Sequence, residues 1–132
     1  MRNAILMMLL AVVSSSAAAE WVEVGSDETA TVYADTATIR KARNRVKMWS
    51  LFDYKTVRVP DKPLQPYLSM RGQSEYDCKK QRSRGLSVSF HPGHMARGDV
   101  TLIHTNASPD NWRPVPPGSV IEALWKVACG KI

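Results

Sequence analysis

Cysteine is scarce in this sequence: Cys78 and Cys129 are the only two among 132 residues. No Cys-x-x-Cys pair occurs and neither cysteine has a histidine beside it, which excludes a dithiol redox motif and a cysteine-based structural zinc site. The sequence also lacks a Gly-x-Ser-x-Gly motif and a Gly-rich phosphate-binding loop. These absences argue against the common nucleophilic and nucleotide-dependent enzymes. We therefore predict that the protein is not an enzyme and needs no cofactor.

Long hydrophobic runs are also missing, apart from one near the start. Residues 4–13 are apolar, follow a basic start and precede a small and polar stretch. A membrane span needs about 20 such residues, so this run is too short to be one. Small residues at 17–19 complete the pattern of a cleavable secretory signal. The sequence predicts a signal peptide over residues 1–19, cleaved after Ala19, and no transmembrane segment.

The mature chain, residues 20–132, is long enough for one domain. No cysteine lies next to the predicted cleavage point, so a lipid anchor has no attachment residue and we predict that the protein is not a lipoprotein. The full sequence has 18 basic and 12 acidic residues. Removal of the signal takes away one basic residue, Arg2, so the mature chain has a net charge of +5. This excess favours anionic glycans, lipid headgroups or acidic protein surfaces as partners, although it can serve solubility alone. The predicted location is periplasmic or secreted.

Short segments of alternating polarity dominate the mature chain. They predict strands over residues 21–24, 29–34, 45–55, 67–78, 82–90 and 99–105. Residues 35–44 and 56–66 are predicted as connections. The segment 45–55 carries apolar residues on both faces, which predicts a position near the centre of a sheet or in a sheet that is covered on both sides at that point. The four tryptophans, at positions 21, 49, 112 and 125, are predicted to lie mostly in the core.

The last predicted element is a helix over residues 120–129. Ser119 and Glu122 have the spacing of a capping box, and Gly130 follows the last helical residue. Its apolar residues share one face, whereas Glu122 and Lys126 lie on the opposite side. A helix of this length is marginal on its own in water, so it needs a sheet to cover its apolar face.

Two cysteines in an exported domain are most simply one disulfide, because that compartment oxidises thiols. A Cys78–Cys129 bond would tether the helix to the sheet. The predicted fold class is therefore α+β. It consists of a single, mostly antiparallel sheet of about six strands, with one C-terminal helix packed on one face and tethered by a disulfide.

Two basic clusters are the predicted contact surfaces for a polyanion. They comprise Arg40, Lys41, Arg43 and Arg45, and Lys79, Lys80, Arg82 and Arg84. Both fall at predicted connections, where long cationic side chains can converge. Charges at strand ends also discourage aggregation through sheet edges, which is the alternative explanation. No aromatic stacking platform accompanies the clusters, so we expect no nucleic acid partner.

Other chemistry-bearing residues have simpler interpretations. A metal site would have to be built from His91 and His94, with His104 or Asp99. Because that spacing falls in a turn and no second ligand pair exists, exposed turn histidines and no metal site are predicted. Glu75 and Asp77 share one face of a predicted strand. There we expect an exposed surface and cross-strand charge pairing rather than acid–base catalysis.

Four blocks spread along the mature chain carry a family resemblance. They are Tyr33-x-Asp35, Val46-x-x-Trp49-x-Leu51-x-Asp53-Tyr54, Ser74-Glu75-Tyr76-Asp77-Cys78 with Arg82 and Arg84 after it, and Trp112-x-x-Val115-x-Pro117-Gly118-Ser119, the last leading to Cys129. Together they resemble the surface-adhesin protein E family. The resemblance implies an antiparallel sheet with a disulfide-tethered helix, in an envelope or surface protein of a Gram-negative bacterium. It also implies adhesion to host matrix and serum proteins, including vitronectin, laminin and plasminogen, and the ability to form homodimers.

These observations lead to two functional hypotheses. The first is an exported, non-enzymatic binding domain that contacts protein or polyanionic partners through its basic connections and the sheet face away from the helix. The alternative is a periplasmic structural or assembly component that dimerises through an unpaired sheet edge and has no host ligand.

Overall fold

The computed structural model describes residues 20–61, 65–105 and 110–131, so the predicted signal peptide and its cleavage point after Ala19 lie outside the described residues. The elements are β1 (Val22–Ser26), β2 (Ala30–Ala42), β3 (Arg45–Arg58), β4 (Tyr67–Asp77), β5 (Arg82–His91), a 3-10 turn (His94–Ala96), β6 (Leu102–Thr105), β7 (Arg113–Pro114) and α1 (Val120–Cys129). Strands β1 to β6 form one antiparallel sheet in chain order. Within the described ranges, no helix is long and apolar enough to span a bilayer. The predicted α+β fold is confirmed.

Strand β2 continues well beyond the predicted boundary. Its last residues pair with the start of β3, after an irregularity in the register between Asp35 and Arg40. The Thr38 hydroxyl bridges this irregularity, since it accepts from the Trp49 backbone N–H at 3.0 Å and donates to the Asp35 carbonyl at 2.6 Å. The predicted connection over residues 35–44 is therefore wrong. A side chain replaces the missing ladder hydrogen bonds and keeps the strand in the sheet.

A bulge in β5 changes which residues face α1. Gln73 of β4 pairs with Ser87, but the next residue of β4, Ser74, pairs with Gly85, so Leu86 has no partner opposite it. Side chains alternate between faces along a strand, and one extra residue exchanges the two faces beyond it. Arg82 and Arg84 consequently lie on the face away from α1, although simple alternation along β5 would place them with the apolar residues.

The core lies between α1 and the sheet. Its buried members come from β2, β3, β4 and α1 and are Val32, Ala34, Val46, Met48, Tyr76, Leu124, Trp125 and Ala128. The helix begins as predicted, because the Ser119 hydroxyl accepts from the Glu122 backbone N–H at 3.2 Å. It ends at Gly130, which has the left-handed φ of 67° that favours glycine. Full burial of a leucine such as Leu124 contributes about 1.5–3 kcal/mol.

Two contacts attach α1 to the end of β4. The Cys78–Cys129 disulfide joins Cα atoms 5.6 Å apart across 51 residues of sequence. Beside it, the Trp125 indole N–H donates to the Asp77 backbone carbonyl at 2.9 Å in a buried position. The predicted tether between helix and sheet is therefore confirmed.

Only one tryptophan belongs to this core, contrary to prediction. Trp125 is buried, whereas Trp21, Trp49 and Trp112 are partly exposed. Trp49 and Trp112 contact arginine guanidinium groups on the sheet face away from α1. Their rings are covered by cations instead of by a second apolar layer.

We expect the double variant Cys78→Ala/Cys129→Ala to lose about 2–4 kcal/mol of unfolding free energy, because the crosslink restricts the unfolded chain. Urea denaturation of the oxidised proteins measures this loss. Dithiothreitol should lower the wild-type midpoint toward that of the variant and leave the variant unchanged. Equal midpoints for the oxidised wild type and the double variant would contradict the prediction.

Tyr76 should make the protein sensitive to alkali. Burial raises the pKa of Tyr76 to about 12, although hydrogen bonds with Ser74 and Ser50 act in the opposite direction. The stabilisation is complete below the ordinary tyrosine pKa of about 10 and is lost as the pH rises toward the folded value. We expect wild type to lose about 2–3 kcal/mol more than Tyr76→Phe between pH 9 and pH 12, by urea denaturation. Parallel losses in both proteins would refute this.

Candidate anion-binding site

The two predicted basic clusters approach each other at one end of the sheet. Antiparallel pairing of β3 with β4 starts at Arg45 opposite Asp77, which brings the β2–β3 and β4–β5 turns side by side. The Cys78 backbone N–H donates to the Asn44 carbonyl at 2.8 Å and joins the two turns directly. The disulfide attaches α1 at this same end.

A cavity of about 670 Å³ lies between these turns, and we call it the basic cavity. It is lined by Ala42, Arg43, Asn44, Arg45, Glu75, Asp77, Lys79, Lys80 and Arg82. Five cationic side chains thus face two carboxylates, which leaves an excess of positive charge. The volume falls within the range of about 300–1,000 Å³ that is usual for ligand sites.

Five of the eight predicted contact residues line the basic cavity. Among them Arg43, Lys79 and Lys80 are exposed and accessible to a large partner. Arg40 and Lys41 do not line it; the Arg40 guanidinium instead donates to nearby backbone carbonyls at 2.9 and 3.1 Å. The β2–β3 cluster therefore contributes only its two residues closest to the turn.

Asp77 organises the β4–β5 turn. Its Oδ1 accepts from the backbone N–H groups of Lys79 at 3.1 Å and Lys80 at 3.0 Å, and its Oδ2 accepts from Arg82 Nε at 3.0 Å. Burial alone would raise the pKa of Asp77, but these donors outweigh it and hold the pKa below its ordinary value. The carboxylate therefore stays ionised and fixes the turn that carries both lysines.

The predicted exposed position of Glu75 and Asp77 is wrong. Their exposed fractions are only 7% and 5%. Arg84 Nη2 lies 2.6 Å from Glu75 Oε1, and Arg82 Nε lies 3.0 Å from Asp77 Oδ2. The predicted cross-strand charge pairing does occur, but it is largely removed from solvent. Arg82 and Arg84 therefore support the wall of the cavity more than they offer charge to a partner.

Trp112 holds these arginines in place from the opposite side. The Cζ atoms of Arg82 and Arg84 each lie 4.5 Å from its ring centroid, and that of Arg45 lies 5.1 Å away. Each cation–π contact of this kind contributes about 0.5–2 kcal/mol. Sequence reasoning missed this role, because Trp112 reaches the site only when β7 pairs with the start of β5.

His91 and His94 have separate partners. His91 is buried and its Nε2 lies 2.9 Å from Ser89 Oγ, which corrects its predicted exposure. His94 is exposed, as predicted, and its Nδ1 lies 3.0 Å from Asp53 Oδ1. In the part of the chain that the structure describes, no three His, Cys, Asp or Glu side chains are grouped to hold a metal ion.

The sequence and the fold were compared with those of known proteins. The sequence matches the family described as surface-adhesin protein E over residues 21–130. The chain belongs to this family. Membership indicates an exported, adhesin-like binding protein. A search of curated protein sequences finds no match.

Solved structures of Haemophilus influenzae protein E share the fold of this family member. One aligns with a TM-score of 0.59 at 12% identity and covers 84% of each chain. A second crystal form gives 0.57 at 12% identity, covering 87% of this chain and 98% of that one. The protein from a non-typeable strain gives 0.56 at 12% identity, with 83% and 75% covered. At this identity the likeness concerns the fold alone.

The Asp77 contacts predict a pH-dependent contribution to stability. We expect Asp77→Asn to lose about 1–3 kcal/mol of unfolding free energy at pH 7, because asparagine cannot form the ion pair with Arg82. Since the folded pKa is lowered, this stabilisation is present above the ordinary value of about 4 and disappears as the pH falls through the folded pKa. Urea denaturation from pH 7 to pH 3 measures it.

The matched control is Asp99→Asn, which removes an exposed carboxylate. It should remain within about 0.5 kcal/mol of wild type throughout that range. A gap between wild type and Asp77→Asn that stayed constant down to pH 3 would rule out the proposed electrostatic origin.

Proposed function

We propose that this protein is an exported, non-enzymatic binding domain that contacts an anionic partner through the basic cavity. In this proposal residues 1–19 are a cleaved signal and residues 20–132 form the binding domain, which is free in the periplasm or secreted. The partner is a sulfated or otherwise anionic glycan, a lipid headgroup or an acidic patch on a protein. The observation that carries the proposal is the convergence of five cationic side chains from two turns at one end of the sheet.

The stiffness of both turns supports this proposal. The Asp77 carboxylate fixes the β4–β5 turn, and a backbone hydrogen bond from Cys78 links it to the β2–β3 turn. The disulfide adds a covalent attachment to α1. Cationic side chains on a fixed backbone lose less conformational entropy on binding than the same side chains on a mobile loop. The cavity is therefore preorganised for a partner with closely spaced negative charges.

The experiment that tests this proposal is heparin-affinity chromatography of the mature protein and of the double variant Lys79→Glu/Lys80→Glu. We expect wild-type retention to fall as salt increases, because a polyanion contact releases counterions. The double variant should bind about tenfold more weakly or worse, since two attractive charges become repulsive. Arg82 and Arg84 are unsuitable for this test, because replacing them would leave buried carboxylates unpaired.

The matched control is Lys55→Glu/Arg97→Glu, which makes the same change in net charge at two exposed positions outside the basic cavity. It should retain nearly wild-type heparin affinity. If both double variants weaken binding equally, net charge alone explains retention and the site is wrong. Retention that does not depend on salt would also overturn the electrostatic proposal.

A second candidate function is structural assembly through the edge of the sheet. Strand β1 lies first in the sheet order, and Val22 on it is 50% exposed. A mainly apolar cavity of about 380 Å³ adjoins it, between β1 and α1, with Val24, Ala123 and Val127 among its walls. An edge strand beside an apolar surface can pair with a second copy. Light scattering on the same protein preparations, measured without heparin, distinguishes the two functions. A stable dimer that does not bind heparin favours assembly.

A further inference from the structure

Arg71 differs from the other arginines on the sheet face away from α1. It lies within β4, opposite Leu51 of β3 and Ser89 of β5, and is partly buried. Its guanidinium Cζ lies 4.0 Å from the Trp49 ring centroid. Across the described ranges no carboxylate forms an ion pair with it, whereas Arg82 has Asp77 as its partner. Burial of a cation without a counter-charge is costly, so binding of an anion at Arg71 is favourable.

A cavity of about 200 Å³ adjoins this guanidinium, and we call it the Arg71 pocket. Its polar side is formed by Arg71, Ser87, Ser89 and His91, and its apolar side by Trp49, Val88, Val100 and Ile103. Val100 and Ile103 are 45% and 67% exposed, so their apolar surface is available to a ligand. The pocket therefore combines one cation, hydroxyl groups and an apolar rim.

The two serines have different roles. Ser89 Oγ lies 2.9 Å from His91 Nε2 and 3.4 Å from the Arg71 carbonyl, so its hydrogen bonds are directed into the protein. In the described residues the Ser87 hydroxyl has no such partner and can donate to a ligand. Arg71 and Ser87 together supply charge and a hydroxyl donor on neighbouring strands.

We propose that the Arg71 pocket binds a small carboxylate that carries an apolar body. The carboxylate lies on the Arg71 guanidinium, whose parallel N–H groups match its two oxygens, and accepts a further hydrogen bond from Ser87. The apolar body packs against Trp49 and Ile103. A single cation suits a singly charged group, and the small volume suits a short branched chain. The pocket lies roughly 20 Å along β4 from Asp77, so it is separate from the basic cavity.

The probes are 3-methylbutanoate and its neutral analogue 3-methylbutanamide, which have nearly the same shape. Titrations of ¹⁵N-labelled mature protein follow the Trp49 indole N–H and the Arg71 Nε–H signals. We expect the carboxylate to shift both signals in a saturable manner and the amide to shift them weakly or not at all. Equal affinity for the two probes, or no saturable shift with the carboxylate, would overturn the proposal.

Arg71→Gln removes the charge and retains a long polar side chain. It should weaken 3-methylbutanoate binding roughly 10- to 100-fold, which corresponds to loss of hydrogen bonds to a charged group. The matched control is Arg58→Gln, because Arg58 is exposed and also lies over an aromatic ring, 5.4 Å from the Tyr54 centroid. It should bind as wild type does. Equal affinity in Arg71→Gln and wild type would refute the assignment.

Two further variants keep the test decisive if Arg71→Gln does not fold. Ser87→Ala removes the hydroxyl donor, and Ile103→Ser removes an exposed apolar wall. Each should weaken carboxylate binding severalfold, and unchanged affinity in both would overturn the proposal. A free-acid tripeptide ending in valine, compared with its amide, identifies the source of the carboxylate. Tighter binding of the peptide acid than of 3-methylbutanoate indicates a chain terminus, and the reverse indicates a free small acid.

Discussion

The attachment of α1 to the end of β4 supports both the core and the candidate site. A ten-residue helix is marginal alone, but Cys129 is bonded to Cys78 and Trp125 donates to the Asp77 carbonyl. The same Asp77 directs its carboxylate to the β4–β5 turn and to Arg82. Asp77 thus links the buried helix contact, through its carbonyl, to the wall of the basic cavity, through its carboxylate. A shift of α1 would therefore displace Asp77 and change the position of the β4–β5 turn.

The two faces of the sheet are stabilised by different physics. Toward α1, apolar side chains such as Met48 and Leu124 are removed from water. On the other face, guanidinium groups cover Trp49 and Trp112, and carboxylates neutralise part of their charge. Indole rings under guanidinium planes retain van der Waals contact while the cation keeps access to water. This face can therefore be both well packed and highly charged, as the proposed contact with an anionic partner requires.

Local sequence signals predicted the helix and its tether well. The capping residues of α1 and its Glu122–Lys126 pair interact with residues only a few positions away, so the local sequence reveals them. Two cysteines permit only one intramolecular disulfide. The basic clusters were found for the same reason, since they are contiguous in sequence. The course of β2 was missed, because one hydroxyl, that of Thr38, replaces its ladder hydrogen bonds. The position of Trp112 was missed because it depends on pairing between distant segments.

The bulge at Leu86 decides which arginines are structural and which are available. Because β4 has Ser74 opposite Gly85, Glu75 falls opposite Arg84 and Asp77 opposite Arg82. Without the extra residue, both arginines would face the apolar core and both carboxylates would lose their partners. Arg71 lies on the other side of the bulge, opposite Ser89, and in the described residues it forms no ion pair; the nearby Asp53 carboxylate accepts instead from the Met95 backbone N–H. Register, more than composition, therefore separates the arginines that stabilise the fold through ion pairs from Arg71, to which we assign ligand binding.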